Sequence, residues 1–297
     1  MNLDDPRPPA VSGLFYPSDR DGLLNAIHES FVGRFGPGAF PQTRLARKLP
    51  IKSIECFVVP HAGYVYSGSI AAHSYFKASE IMGAEIAALT IVVLGPNHYG
   101  LGSGIALSPN RSWMTPLGNL QVDADLSKSI LSSCDLVDSD SIAHAREHSI
   151  EVQLPFIQSV LAPTAIQISL VPISLMIQDQ ETMIALAAAL SKVLRHLEDR
   201  RLVVLASSDL THYEPQKIAS AQDKKLLDVV ETLDVSEYYT VLERNNVSAC
   251  GYGAIACVMQ MARNFGKEKG SILKYATSGD ITGDESSVVG YSSVHFS

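Results

Sequence analysis

Cysteine, basic residues and long apolar runs are all scarce in this chain, and each scarcity closes off a class of protein. Four cysteines, Cys56, Cys134, Cys250 and Cys257, are spread over 297 residues without a CxxC pair or a regular framework. That fits a reducing compartment rather than a disulfide scaffold. Cys250 and Cys257 fall in one expected helix, where seven residues rise about 10 Å, too far for a bridge. Lysine and arginine number 23 against 31 acidic residues, a net charge of −8. Neutralising phosphates needs a basic patch that this balance does not supply, so no nucleic-acid partner is expected. The densest basic cluster, Arg44, Arg47 and Lys48, is small and reads as a solvated surface. No apolar run reaches the ~18 residues that span a bilayer. The nearest, ISLVPISLMI at 168–177, is broken by serines and Pro172. The amino terminus, MNLDDPRPPA, is acidic and proline-rich, the opposite of a signal peptide, so a cytoplasmic protein without a membrane partner is expected.

What the chain does have is apolar runs alternating with helical patterns. IECFVVP (54–60), LTIVVLG (89–95), IQISLVPI (166–173) and LVVLASS (202–208) carry little polar alternation, the mark of strands covered on both faces. Helices are expected at 67–82, at 147–161 with Ile150, Leu154, Ile157 and Leu161 on one side, at 179–199, and at about 217–232 and 250–264. The end, SSVVGYSSVHF, returns to strand chemistry. The loosest stretch, 36–50, reads as a surface connection, and no second linker follows, so residues 1–297 are taken as one domain. With 46% hydrophobic residues a sizeable core can form. The alternation predicts a three-layer α/β/α sandwich around a mostly parallel or mixed sheet.

Three of the buried runs end in histidine. The first leads into PHAGYVYSG with His61, the second into GPNHYG with His98, and the last into SDLTHY with Asp209 and His212. Open α/β sheets bind ligands at the carboxyl edge of their strands. If the three strands are neighbours, these side chains meet in one pocket and form a metal or catalytic site. Each alone is equally a turn residue; the repeated placement carries the functional reading. Two imidazoles suit zinc, copper, iron or nickel, and Asp209 and Cys250 are both candidates for a third ligand. Cys250 lies in NNVSACGYGAIACVM, where Ser248 is expected to cap a helix whose first turn holds the thiol and favours thiolate. The other three cysteines read as small buried hydrophobes. In REHSIEVQLPF, Glu147, His148 and Glu151 cluster at an expected helix start. Glu147 and His148 are candidates to line the pocket, as is Tyr64, which follows His61. His73 reads as packed structure.

These motifs resemble the Memo family. The resemblance runs over nearly the whole chain through VSGLFYP, PHAGYVYSG, LGPNHYG, EHSIEVQLPF, SSDLTHY and CGYGAI in order. It implies the fold of class III extradiol dioxygenases, which use non-haem iron. It also implies His61 and His98 as metal ligands, Cys250 in place of the dioxygenases' glutamate ligand, and His212 as the acid/base histidine with Asp209 beside it. The thiol softens the site toward copper(I), zinc or a differently tuned iron. Gln153 stands where the animal members have a histidine.

Three readings follow. The first is a metal-dependent redox enzyme, iron first with copper or zinc as alternatives, acting with O₂ or a chelating small molecule. The second is a non-catalytic module that holds a peptide in the same pocket. The third is a hydrolase with Cys250 as nucleophile and His212 as base. The sequence leaves the oligomeric state open.

Overall fold

The apolar runs expected to be covered on both faces become four adjacent parallel strands. The computed structural model describes residues 5–41, 54–82, 86–162, 165–197 and 200–297; Arg44, Arg47, Lys48 and most of the 36–50 connection lie outside them. The described strands are β1 (Ile54–Val59), β2 (Ile86–Pro96), β3 (Ile105–Leu107), β4 (Ser112–Thr115), β5 (Gly118–Gln121), β6 (Asp138–Ser139), β7 (Ala165–Leu175), β8 (Arg201–Ser207), β9 (His212–Glu214), β10 (Gly270–Thr277) and β11 (Val288–Phe296). They form a sheet in the order β10-β11-β1-β8-β2-β7-β3-β6, with β9 on β11 and a separate β4–β5 hairpin. β1, β8, β2 and β7 are parallel. The flanks are antiparallel where β11 meets β1 and β10 and where β3 meets β7, so the sheet is mixed.

Side-chain alternation along these strands divides the core in two. Leu202, Val204 and Ala206 of β8 join one cluster with Val92 and Leu94 of β2, under the helices Gln180–Arg195 and Tyr252–Asn264. Val203 and Leu205 join the other with Ile91 and Val93, against the helices Arg20–Val32 and Ser69–Met82. Each fully buried Val or Leu contributes about 1.5–3 kcal/mol, and neither face of a central strand such as β8 is left wet. The result is the three-layer α/β/α sandwich. Asp179 caps Gln180–Arg195 by accepting from Thr182 N, and Lys192 and Arg195 sit in its last turn, where the macrodipole favours cations. Among the described residues no helix is long and apolar enough to cross a membrane.

Two expected helices differ at their starts. The segment 147–161 is no single α-helix: a 3-10 turn (Glu151–Gln153), a short α turn (Leu154–Phe156) and a π turn (Ile157–Leu161) succeed one another. Pro155 has no N–H to give to the Glu151 carbonyl, and residues 147–150 are held by tertiary hydrogen bonds instead. The expected helix at 250 begins at Tyr252, with Gly251 at its cap position and no side-chain cap, so Cys250 precedes the helix.

Topology does the rest. β8 comes last of the central strands in sequence yet lies between β1 and β2, with Val59 opposite Ser207 and Leu94 opposite Ala206. The carboxyl ends of the three strands are therefore level and adjacent.

Candidate metal centre

At that edge His61, His98 and Cys250 each offer one ligand atom, and the three atoms lie within 4.8 Å of one another. The His61 ring is 1% exposed. Its Nδ1 is 2.9 Å from Ser207 Oγ and its Nε2 is 3.1 Å from Cys250 Sγ. His98 stands at the rim, its side chain 29% exposed. Glu147 grips it twice, accepting from the main-chain N–H at 2.6 Å and from Nδ1 at 2.9 Å. A carboxylate backing an imidazole fixes the tautomer and leaves Nε2 with its lone pair outward.

Cys250 reaches the histidines from the turn before its helix. Asp209 N–H donates to Sγ at 3.3 Å, and Gly251 N–H donates to Ser208 Oγ at 2.9 Å. A Cβ at Gly251 would collide with the Ser207 carbonyl oxygen, so only glycine lets this turn lie against β8. Gly95 plays the same part on β2, where a Cβ would run into the Ser149 side chain. The expected thiolate at a helix N-terminus is not what forms. Ser248 caps no helix; its Oγ accepts from His212 N–H at 2.8 Å. Burial, with the Asp209 carboxyl beside it, pushes the Cys250 thiol above its ordinary pKa despite the N–H bonds that work the other way.

His212 is half-buried, and its Nδ1 lies 3.0 Å from the Ser248 carbonyl oxygen. A carbonyl only accepts, so Nδ1 carries the proton and Nε2 is left basic. Ser248, rather than Asp209, makes the hydrogen bonds that orient this ring. Asp209, 4% exposed, accepts from His61 N–H at 2.8 Å, and burial raises its carboxyl to about 6.

The remaining candidates separate. The His148 ring stacks on His98 with centroids 4.5 Å apart and meets His61 edge-on at 5.5 Å, so it belongs to the group. Burial lowers it to about 4, and it is neutral at pH 7. Glu147, fully enclosed, does not line a cleft: its carboxylate is used up by His98, His148 N–H and Ser149 N–H. Burial would raise its pKa, but these donors outweigh it and hold the carboxyl well below the usual range. Tyr64 is 6% exposed, donates to the Val152 carbonyl at 2.8 Å and packs on Tyr16 and Phe156. Its hydroxyl is committed to the fold, because the π turn Tyr64–Gly68 carries the ring inward. His73 is packed as expected, with Nε2 on the Phe35 carbonyl. Ser149 and Ser207 were passed over in the sequence, since a serine at a strand or helix end reads first as a turn residue, and Ser248 was read only as a helix cap.

The donor set fits a transition metal. Two ligands on one tetrahedral ion, one imidazole and one thiolate, lie about 3.6 Å apart. His61 Nε2 and Cys250 Sγ stand at 3.1 Å and need only a small spread, with a metal in place of the proton they share. Two neutral imidazoles and one thiolate complete a soft, three-sided set that is open toward the rim.

Comparison with known proteins agrees with the motifs. The family model described as Memo-like protein matches residues 7–295. A MEMO1 family protein of Methanocaldococcus jannaschii is 45% identical over 287 residues, 97% of each chain. One from Sulfurisphaera tokodaii is 41% identical over 98% of this chain and 99% of its own. One from Methanopyrus kandleri is 41% identical over 98% of both. Among solved structures, an uncharacterized protein from Escherichia coli K12 shares the fold, with a TM-score of 0.50 at 11% identity, covering 82% of this chain and 100% of that one.

Proposed function

This chain belongs to the Memo family, and on that premise we propose that it binds one transition-metal ion through His61, His98 and Cys250 and serves as a metal-dependent redox protein for a small ligand. One observation carries the reading. Ligand atoms from three separate loops converge within 4.8 Å, while Nδ1 of each imidazole is occupied elsewhere. Iron is the first choice, because two imidazoles and one anionic ligand leave positions open; the thiolate also suits copper(I) and zinc. A redox metal held there supplies electron exchange with O₂ or a chelating ligand.

The chain's own residues do the rest. Glu147 holds the rim histidine at both its main-chain N–H and its ring. Burial of His61 keeps water from the inner side, so a ligand enters past His98. His212, with Nδ1 tied to Ser248, offers Nε2 to take a proton from that ligand and return it.

The test is metal content, element by element, of protein purified without oxygen. Near-stoichiometric metal in the wild type, lost in His61→Ala and His98→Ala, is the expected result. Unchanged metal content in both variants would defeat the assignment.

A further inference from the structure

Behind His61, on the side away from Cys250, lies a chain of polar groups that ligand binding does not explain. Ser207 Oγ donates to the Ser149 carbonyl at 2.6 Å. Gln153 Nε2 donates to Ser207 Oγ and to the Pro60 carbonyl, both at 2.9 Å. Gln153 Oε1 accepts from Tyr75 OH at 2.8 Å. Tyr75, Gln153, Ser207 and Ser149 are each 0–1% exposed, so no bulk water substitutes for any of these partners.

The proton positions follow by elimination. The Ser149 and Pro60 carbonyls only accept. The Ser207 hydroxyl proton is therefore spent on Ser149, and the Gln153 atom facing Pro60 must be its nitrogen. Ser207 Oγ has two lone pairs, and one receives Gln153. The other faces His61 Nδ1 at 2.9 Å. Two lone pairs do not bond, so Nδ1 carries the ring proton. Nε2 is left with its lone pair toward Cys250 Sγ.

We propose that Ser207, oriented by Gln153 and Tyr75, is a positioning residue that fixes the His61 proton on Nδ1 and so reserves Nε2 for the metal. The inference rests on the metal reading for its purpose, though not for its proton geometry. It makes the two imidazoles unlike: His98 is backed by a carboxylate, while His61 is backed by a neutral hydroxyl with no rotational freedom left. Without the hydroxyl, the buried Nδ1–H has no partner. The proton then moves to Nε2, where Cys250 Sγ accepts it, and a metal must displace it.

The experiment records two-bond ¹H–¹⁵N spectra of the histidine rings in ¹⁵N-labelled, metal-free protein at neutral pH, followed by cobalt(II) titration. Wild type is expected to show His61 protonated at Nδ1. Ser207→Ala is expected to show the proton at Nε2 and cobalt affinity lower by about 10–100-fold, the usual cost of losing such a partner. Ser207→Thr, which keeps the hydroxyl, restores both. A wild-type proton on Nε2 overturns the proposal, and that spectrum decides the matter even if Ser207→Ala does not fold. So does a Ser207→Ala protein with the Nδ1 proton and wild-type affinity. A wild type with the Nδ1 proton and no cobalt uptake supports the relay and overturns the metal reading instead.

Discussion

Glu147 and Glu151 stand four residues apart, both fully enclosed, and they are held in opposite ways. Glu151 accepts from Arg7 Nη1 at 2.7 Å, from Ala10 and Val11 N–H, and from Tyr16 OH at 2.7 Å. Arg7 in turn lies 4.0 Å over the Trp113 ring and donates to the His144 and Glu147 carbonyls. This is a fixed ion pair that ties the amino-terminal segment onto the core. The Glu147 carboxylate has no lysine or arginine among its partners in the described residues; it accepts from one imidazole and three main-chain N–H groups. The fold therefore uses a permanent cation where it needs only strength. Where it positions a ring, it pairs the carboxylate with one imidazole nitrogen, His98 Nδ1, rather than with a guanidinium. Arg7 joins the two regions, since one guanidinium touches the Glu151 carboxylate and the Glu147 main chain.

Breaking the Glu151 side should have the largest effect on stability. Arg7→Met leaves a buried carboxylate without its cation, and a loss of about 3–5 kcal/mol in urea unfolding is expected. A loss below about 1 kcal/mol would mean that the pair is not what anchors the amino-terminal segment. Glu147→Gln should cost less stability, about 1–3 kcal/mol, yet lower cobalt(II) affinity about 10–100-fold. If it destabilised more than Arg7→Met and left affinity alone, the contrast between the two glutamates would be reversed.

Glu55 sets the small end of the scale. It lies at the amino end of β1, away from the candidate metal ligands, and accepts from His295 Nε2 at 3.0 Å and from Lys267 Nζ at 3.3 Å. Burial works against the charge, but these two donors outweigh it and lower the carboxyl from 4.5. A depressed carboxyl stabilises the fold above its unfolded pKa and loses that contribution as pH falls through the folded value. Glu55→Gln should therefore cost about 1 kcal/mol near neutrality, and the difference from wild type should shrink as pH drops below 4.5. A difference that grew in acid would contradict the sign.

The central strands were legible because burial on both faces leaves an uninterrupted apolar run, and their carboxyl ends named His61, His98 and His212. Strand order was not legible: only the crossover that inserts β8 between β1 and β2 makes these loops neighbours. The strands β3 and β6 at one end of the sheet, three and two residues long, are too short for a periodic signal. Tyr64 misled because nearness in sequence to His61 says nothing of ring direction, which the π turn decides. Ser207 was hidden by its place at a strand end; Glu147 was named as a pocket residue, but its grip on His98 was hidden by a helix pattern that Pro155 interrupts.

In the proposed centre an imidazole pair and the Cys250 thiolate hold one metal, and cobalt(II) reports a thiolate ligand directly. Titrating metal-free wild type and Cys250→Ser while recording near-ultraviolet and visible absorption is the decisive measurement. The expected result is one equivalent bound by wild type with a strong sulfur-to-cobalt charge-transfer band, and no such band in Cys250→Ser. No uptake by the wild type, or a band that survives loss of the sulfur, would contradict it.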